Sequence, residues 1–228
     1  MKRKLVVLTG AGMSAESGIA TFRDSGGLWE QYPVEQVATP EAFEADPERV
    51  LNFYNMRRRE LLKAKPNEGH KGLAELEKYF EVYIITQNID NLHEQAGSTR
   101  VLHLHGELMK VRSTGDESLI YELDPEKCDI HVGDLCEKGF QLRPHVVWFG
   151  EAVPMMPEAE RITRQADIFV IIGTSLNVYP AAGLLHDVRG DVPVYLIDPK
   201  EVYTMRNDIH PIKKGASEGV RELKKLLL

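Results

Sequence analysis

The sequence has little cysteine and no long apolar run. Its 228 residues include two cysteines, Cys128 and Cys136, which are too few for a disulfide framework in a chain of this length. No stretch of about 18 apolar residues occurs, so we expect no transmembrane helix and no membrane partner. The apolar run from Leu5 to Leu8 is too short for a signal-peptide core. We therefore expect a protein that acts in the cytoplasm.

Positively charged residues are outnumbered by negatively charged ones. Lysine and arginine number 28 against 35 aspartates and glutamates, which gives a net charge of −7. Because non-specific binding to nucleic acid needs clustered cations, we expect no nucleic-acid partner. An acidic surface is compatible with a basic, lysine-bearing partner. The sequence gives no firm oligomeric state, and our working expectation is a monomer.

Apolar segments alternate with helical stretches along the chain. The strand-like segments are KLVVLTG, EVYIITQNID, DIFVIIGTS and VPVYLID, each apolar enough to be buried on both faces. Between them, helices are predicted over 47–63, 70–78 and 158–165. This alternation predicts the α/β class, with a Rossmann-like, doubly wound parallel sheet and a small inserted subdomain.

Two inserts interrupt the alternating pattern. One is helical and rich in arginine, and the other is polar, aperiodic and holds both cysteines. We expect a single domain over residues 1–228. Its Rossmann core would comprise about 1–30, 66–107 and 143–228, and its small subdomain the inserts at about 31–65 and 108–142.

Polar residues and glycines follow each predicted strand. In a doubly wound sheet, ligands bind outside the carboxyl ends of the strands. One crevice should therefore be lined by Gly10, Gln87, Asn88, Asp90, Gly173, Thr174, Ser175 and Asp198.

The first strand is followed by the glycine-rich sequence GAGMSAESG. Its backbone amides could hold a pyrophosphate at the start of a helix, with Ser14 as a candidate N-cap. The spacing of Gly10, Gly12 and Gly18 is not the strict dinucleotide fingerprint, so a simple tight turn is the alternative. The second strand ends in TQNIDNLH, whose side chains could bind an amide or a ribose, or could cap a helix.

Two further motifs allow more than one interpretation. In HLHGEL, His103 and His105 could be interior residues, half of a metal site, or could include a catalytic base. The segment RPHVVWFGE could be an edge strand that pairs with an extended peptide. It could equally be a core strand, with Val146, Trp148 and Phe149 packed inside.

Taken in order, five motifs resemble those of sirtuins, the NAD-dependent protein lysine deacylases. They are GAGMSAESGIATFR, TQNIDNLH, LHGE, RPHVVWFGE and GTSLNVYP. The resemblance implies NAD as cofactor and acyl-lysine proteins or peptides as partners. The implied cofactor-binding residues are Gly10, Ala11, Gly12, Glu16, Thr21, Phe22, Arg23, Gln87, Asn88, Ile89, Asp90, Gly173, Thr174, Ser175, Asp198 and Ala216.

Within that set, the resemblance assigns separate tasks. Asn88, Ile89 and Asp90 would form the nicotinamide pocket, with Phe22 and Arg23 near the nicotinamide ribose. The family usually has asparagine at the position of Asp198; aspartate can still accept hydrogen bonds from ribose hydroxyls.

The resemblance also implies a catalytic residue. His105, directly before the glycine, would deprotonate a ribose hydroxyl, and the products would be free lysine, nicotinamide and O-acyl-ADP-ribose. His103 is interpreted as structural, because alternation along an extended segment points it to the other face. Gly106 would leave room for substrate or ribose.

The sequence FYNMRRREL suggests an acyl preference. Tyr54 and Arg57 lie three apart on a predicted helix and resemble the pair of class III sirtuins, which prefer succinyl, malonyl and glutaryl groups. A guanidinium can hold the distal carboxylate of such groups. Arg58 and Arg59 are expected to be solvated, with pairing of one of them to an acid as the alternative. The other implied substrate residues are Val147, Trp148, Phe149, Gly150, Glu151, Asn177, Val178 and Tyr179.

The chain departs from most sirtuins in its cysteines. The family's two CxxC pairs hold a structural zinc, but Cys128 and Cys136 are not in such a pair. A mixed site with His131 and with Asp129 or Asp134 is the alternative. We expect no zinc and a subdomain held by packing. The candidate packing residues are Leu119, Ile120, Leu123 and Leu135.

Three other functions compete with an acidic-acyl deacylase. A mono-ADP-ribosyltransferase would use the same cofactor and leaving group, and an acetyl-lysine deacetylase would use the same base. An acyl pocket at Tyr54 and Arg57 has no use in simple transfer. A non-catalytic NAD or ADP-ribose sensor would not need His105.

Overall fold

A computed structural model describes residues 2–21, 28–204 and 206–228 of the chain. The strands are β1 Lys4–Thr9, β2 Glu81–Thr86, β3 Val101–His103, β4 Gly106–Ser113, β5 Ile120–Glu122, β6 Leu142–Val146, β7 Ile168–Ile172, β8 Val194–Ile197 and β9 Ile209–Ile212. The helices are α1 Gly12–Ala15, α2 Leu28–Gln31, α3 Val34–Val37, α4 Pro40–Ala45, α5 Pro47–Leu61, α6 Glu68–Leu76, α7 Leu92–Gln95, α8 Met156–Arg164, α9 Leu184–Asp187 and α10 Ala216–Leu227. Short 3₁₀ turns lie at Pro125–Lys127 and Ala181–Gly183.

The main sheet has six parallel strands in the order β3-β2-β1-β7-β8-β9. Its central strand β1 has apolar side chains on both faces. Val6 and Leu8 enter the hydrophobic core on one side, and Leu5 and Val7 enter the core on the other. The four predicted strands and the α/β class are therefore confirmed. The strand order reverses between β1 and β7, which is where a doubly wound sheet binds its ligands.

Helices cover both faces of this sheet. Helices α6 and α10 supply apolar side chains to the core on one face, and α8 and α9 supply them on the other. Helix α6 begins with a capping box, in which the Asn67 side chain accepts from backbone amides and His70 accepts from the Asn67 amide. No helix among the described residues is both long and apolar enough to cross a bilayer.

A three-stranded antiparallel sheet, in the order β5-β4-β6, carries the second insert. The motif RPHVVWFGE supplies its edge strand, but β6 ends at Val146, so Trp148 and Phe149 lie beyond the strand. Gly106 has a φ of 80°, and a Cβ there would collide with the His145 carbonyl. The prediction that Gly106 leaves room for substrate is wrong, because the neighbouring strand fills that space.

Buried hydrogen bonds fasten the second insert to α5. The Asn55 amide donates to the Ile130 carbonyl and its oxygen accepts from the Ile130 amide, both at 2.9 Å. Arg58 is fully buried and donates to Asn55 at 2.7 Å and to the Leu108 carbonyl at 3.1 Å. Burial lowers the pKa of Arg58 to about 10. The expectation that Arg58 is solvated is therefore wrong, whereas Arg59 is exposed and pairs with Asp129.

Packing within this insert differs from the prediction. Leu51, Val111 and Ile130 form its buried cluster, with Leu123 against them. Ile120 and Leu135 are exposed by 45% and 55%, so they do not hold the insert together. In the ranges 2–21, 28–204 and 206–228, no three His, Cys, Asp or Glu side chains are grouped to hold a metal ion.

Candidate active site

The glycine loop after β1 lies against the turn after β7. The Gly10 amide donates to the Ile172 carbonyl at 3.0 Å, and the Gly12 amide donates to the Gly173 carbonyl at 2.9 Å. A Cβ on Gly12 would lie 2.7 Å from the Gly173 Cα, so only glycine permits this approach. The backbone of the glycine loop thus packs directly on the turn at Gly173, at the switch point where a doubly wound sheet binds its ligands.

Ser14 lies inside α1 and is fully buried, so its predicted role as an N-cap is wrong. Its hydroxyl donates to Asp90 Oδ2 at 2.9 Å and accepts from the Asn88 amide at 3.2 Å. The same Asn88 amide group donates to the Gly10 carbonyl at 3.0 Å. Ser14 therefore connects the glycine loop to the TQNID segment, a role that the sequence did not reveal.

Asp90 contacts the start of a helix, which is one of the two tasks that the sequence left open. Its Oδ1 accepts from the amide of Leu92, the first residue of α7, at 3.1 Å, and its Oδ2 faces Ser14. Burial raises the pKa of Asp90, and these two hydrogen bonds oppose that rise. This buried carboxyl therefore joins α7 to Ser14 in the glycine loop.

A cavity opens between the glycine loop and α5. The glycine loop, the TQNID segment and α5 each contribute to its lining. The lining residues include Ala11, Ser14, Asn88, Ile89, Asp90 and Arg57. The structure thereby brings part of the cofactor set and one half of the acyl pair to one place. Phe22 and Arg23 lie outside the described residues; Thr21 is described and half-buried.

The remaining cofactor residues surround the same edge of the sheet. Gln87 donates to Thr174 at 3.2 Å, and Ser175 beside it is exposed. Asp198, directly after β8, accepts from the Lys200 amide at 2.8 Å.

Glu16 lies next to the start of α10. Its Oε1 accepts from the Ser217 amide at 3.2 Å, one residue from the buried Ala216. Glu16 therefore contacts the segment that carries Ala216, another of the predicted cofactor residues.

His105 is held in one tautomer. Its Nδ1 lies 3.0 Å from the Gln87 carbonyl, which can only accept, so the proton resides on Nδ1 and Nε2 keeps its lone pair. Burial lowers the pKa of His105, and the hydrogen bond to Gln87 only partly opposes this. The ring is therefore neutral at pH 7, as a general base requires.

His103 differs from His105 in having two acceptors. Its Nδ1 lies 3.0 Å from the Asn88 carbonyl, and its Nε2 lies 2.8 Å from Glu94 Oε1. His103 thus contacts the segment that carries Asn88 and Asp90.

Of the acyl pair, Arg57 lines the cavity, and Tyr54 lies three positions before it on α5. Tyr54 is buried, and its hydroxyl accepts from the indole nitrogen of Trp148 at 2.9 Å. Burial raises the pKa of Tyr54, so the phenol stays neutral. Arg57 is 5% exposed and lies 3.0 Å from Glu60; burial lowers the pKa of Arg57, with Glu60 opposing.

Glu151 holds Trp148 in place. It pairs with Arg143 at 2.6 Å and with Arg112 at 3.3 Å, and it accepts from the Trp148 amide at 2.7 Å. The Arg143 guanidinium lies 3.4 Å from the centre of the Trp148 ring. The sequence assigned Glu151 to the substrate, but its carboxylate is engaged by this arginine pair.

The other proposed peptide-binding residues lie at the surface. Phe149 is 42% exposed, so it is not a core residue, and Gly150 next to it is exposed as well. The Val147 amide donates to the His105 carbonyl at 2.9 Å, which links this segment directly to the base. Asn177 and Tyr179 are exposed, and Val178 between them is half-buried.

Comparison with known proteins agrees with this geometry. The Sir2 family profile matches residues 10–180. An NAD-dependent protein deacylase of Bacteroides thetaiotaomicron is 64% identical over 230 residues, covering 99% of this chain and 98% of the relative. A Sir2 homologue bound to ADP-ribose superposes with a TM-score of 0.90 at 40% identity, covering 99% of this chain and 94% of that one.

A second solved structure, a Sir2 homologue in complex with NAD, has a TM-score of 0.87 at 41% identity and covers 100% of this chain and 91% of its own. The fold, the ordered motifs and the curated relative agree with one another. The chain belongs to the Sir2 family and is an NAD-dependent protein deacylase.

Proposed function

We propose that this deacylase prefers lysines carrying acidic acyl groups, namely succinyl, malonyl or glutaryl, over acetyl-lysine. The observation that carries the proposal is the position of Arg57. Its guanidinium lies on the wall of the cavity that Asn88 and Asp90 also line, and it is 5% exposed.

A buried guanidinium favours an anionic ligand. Removing an arginine from water costs several kcal/mol unless an acceptor replaces the lost hydration. The distal carboxylate of a succinyl chain can accept two parallel hydrogen bonds from Arg57, whereas the methyl of an acetyl group can accept none. Glu60 now pairs with Arg57, but Glu60 is 45% exposed, so water can solvate its carboxylate when a ligand replaces it.

Tyr54 complements this arginine. Because the Trp148 indole donates to the Tyr54 oxygen, the phenol is fixed and its own hydrogen can be donated to a ligand carboxylate. The raised pKa of Tyr54 keeps that hydrogen in place at neutral pH. Glu151 supports the arrangement indirectly, through the amide of Trp148.

The remaining residues fit the reaction of the family. NAD, when bound, supplies the ribose that receives the acyl group and the nicotinamide that leaves. The glycine loop and the turn at 173–175 would hold its phosphates, and Asn88 and Asp90 its carboxamide. His105 Nε2 would accept the proton of a ribose hydroxyl. Phe22 and Arg23 keep their predicted roles near the nicotinamide ribose.

The peptide would lie across an exposed edge next to the base. Val147, Phe149 and Gly150 would contact an extended acyl-lysine segment on one side, and Asn177, Val178 and Tyr179 would contact it on the other. An acyl-lysine protein is therefore the proposed partner, and zinc is not required by this scheme.

The test compares succinyl-lysine and acetyl-lysine forms of one peptide in the wild type and in Arg57→Met. We expect Arg57→Met to lower kcat/KM for the succinyl peptide about 10- to 100-fold, the loss of a charge-assisted hydrogen bond pair, and to change acetyl turnover little. Arg59→Met is the matched control, because Arg59 is on the same helix but exposed. An unchanged succinyl rate in Arg57→Met would contradict the proposal.

Mass spectrometry of the products separates the competing reaction. Deacylation yields O-acyl-ADP-ribose, whereas mono-ADP-ribosyl transfer yields a modified protein. Recovery of ADP-ribosylated protein without O-acyl-ADP-ribose would overturn the assignment of His105 as the base for deacylation.

A further inference from the structure

The side chain of His103 spans both ends of the segment 88–94. It is the last residue of β3, and its ring lies between the Asn88 carbonyl at 3.0 Å and the Glu94 carboxylate at 2.8 Å. Between those two contacts lie Ile89 and Asp90, which line the cavity. Only 7% of the His103 side chain is exposed, so the ring is enclosed by the segment that it contacts.

We infer that His103 is a positioning residue, and that its ion pair with Glu94 holds the 88–94 segment in the shape needed to bind NAD. The inference rests on the proposed role of Asn88 and Asp90 in holding the carboxamide. It does not depend on which acyl group is removed.

The geometry requires a doubly protonated ring. A carbonyl oxygen and a carboxylate oxygen can only accept, so both ring nitrogens of His103 must carry hydrogen to bond with both. A neutral ring would place a lone pair against one of these oxygens. His105, with a single acceptor, works as a neutral base, whereas His103 works as a cation.

Charges around the ring favour that cation. Glu94 on α7 and Glu107 on β4 attract it. The charge of His103 in turn lowers the pKa of Asp90 in the loop and the pKa of His93 on α7. The charge of Lys110 on β4 helps to lower the pKa of Glu94. Burial lowers the pKa of His103, but the hydrogen bond and charge of Glu94, the charge of Glu107 and the hydrogen bond to Asn88 together outweigh it, so the net pKa is raised.

The sign of the pH effect follows from the raised pKa. The ion pair is fully formed below the ordinary histidine value of about 6.5 and is lost as pH rises through the raised value. Deprotonation at alkaline pH removes one of the two contacts. The 88–94 segment then loses a restraint, and binding of NAD weakens.

The experiment measures KM for NAD between pH 6 and pH 9.5 in the wild type and in Glu94→Gln, with any acyl peptide that turns over. Glutamine keeps an acceptor but removes the charge, so the pKa of His103 falls. We expect KM for NAD to rise about tenfold with increasing pH in both proteins, as a charge-assisted hydrogen bond is lost. The rise should occur at a lower pH in Glu94→Gln than in the wild type. Glu68→Gln, an exposed carboxylate on α6, should follow the wild type.

Superimposable profiles in the wild type and Glu94→Gln would overturn the inference, as would a wild-type KM for NAD that does not depend on pH. His103→Gln provides a second check, because its KM should be raised already at pH 6 and should not change with pH. Asn88→Ala tests the underlying role separately. An unchanged KM for NAD in Asn88→Ala would refute the role of the segment, whereas a raised KM there combined with superimposable Glu94→Gln profiles would refute only the role of His103.

Discussion

Replacing Asn55 by alanine tests how the second insert is fastened to α5. The Asn55 side chain is 1% exposed and makes three hydrogen bonds. Two join it to the backbone of Ile130, 75 positions away in the sequence, and the third receives the Arg58 guanidinium. The change removes all three and leaves a backbone amide, a carbonyl and part of a buried cation without partners.

The expected cost can be estimated from these groups. A buried polar group left without its partner costs about 1–3 kcal/mol, and water entering the space of the lost amide reduces the sum. We expect Asn55→Ala to lower the free energy of unfolding by about 3 kcal/mol. With an m value of about 2 kcal/mol/M, the urea midpoint falls by about 1.5 M.

Urea unfolding followed by tryptophan fluorescence provides the assay. Trp148 donates a hydrogen bond to Tyr54, which precedes Asn55 on α5, so the contribution of Trp148 to the fluorescence reports on this region. Asn52→Ala is the matched control, because Asn52 is exposed on α5, and its midpoint should stay within about 0.3 M of the wild type. A loss below about 1 kcal/mol in Asn55→Ala would refute the view that these hydrogen bonds fasten the insert.

Three further predictions concern the base, the loop and the metal. Because burial lowers the pKa of His105 below 6.5, the fall of kcat/KM on the acid side of its pH profile should be centred below pH 6.5. His105→Asn should abolish activity. A fall centred above pH 6.5 would contradict the assignment. Gly12→Ala should raise KM for NAD about tenfold or more, because its Cβ would lie 2.7 Å from the Gly173 Cα. An unchanged KM would argue against a role of the glycine loop in binding NAD. Metal analysis of purified protein should find no stoichiometric zinc, and one tightly bound zinc per chain would refute a zinc-free subdomain.

Local pattern was enough to predict the main sheet. Strand β7 is apolar at every position, and β1 is apolar from Leu5 to Leu8, because both faces of these strands are covered. This signal needs no knowledge of distant residues. Strand β9 escaped prediction because its four residues include the exposed His210 and Pro211. Strand β4 escaped because its burial does not alternate cleanly along its length.

Long-range contacts explain what the sequence could not reveal. Three consecutive arginines are typical of a solvated helix face, yet Arg58 is buried because its acceptors come from Leu108 and Asn55. The different protonation of His103 and His105 likewise depends on distant partners. The pairing of β2 with β3 brings the segment after β2 close to both histidines, so that Glu94 contacts His103 and the Gln87 carbonyl contacts His105.

The most direct test of the acyl preference is the ratio of kcat/KM for succinyl-lysine and acetyl-lysine in one peptide sequence, measured in the wild type with saturating NAD. Bidentate pairing with Arg57 and a hydrogen bond from Tyr54 predict a ratio above about 10 in favour of succinyl-lysine. A ratio of one or below would contradict the account.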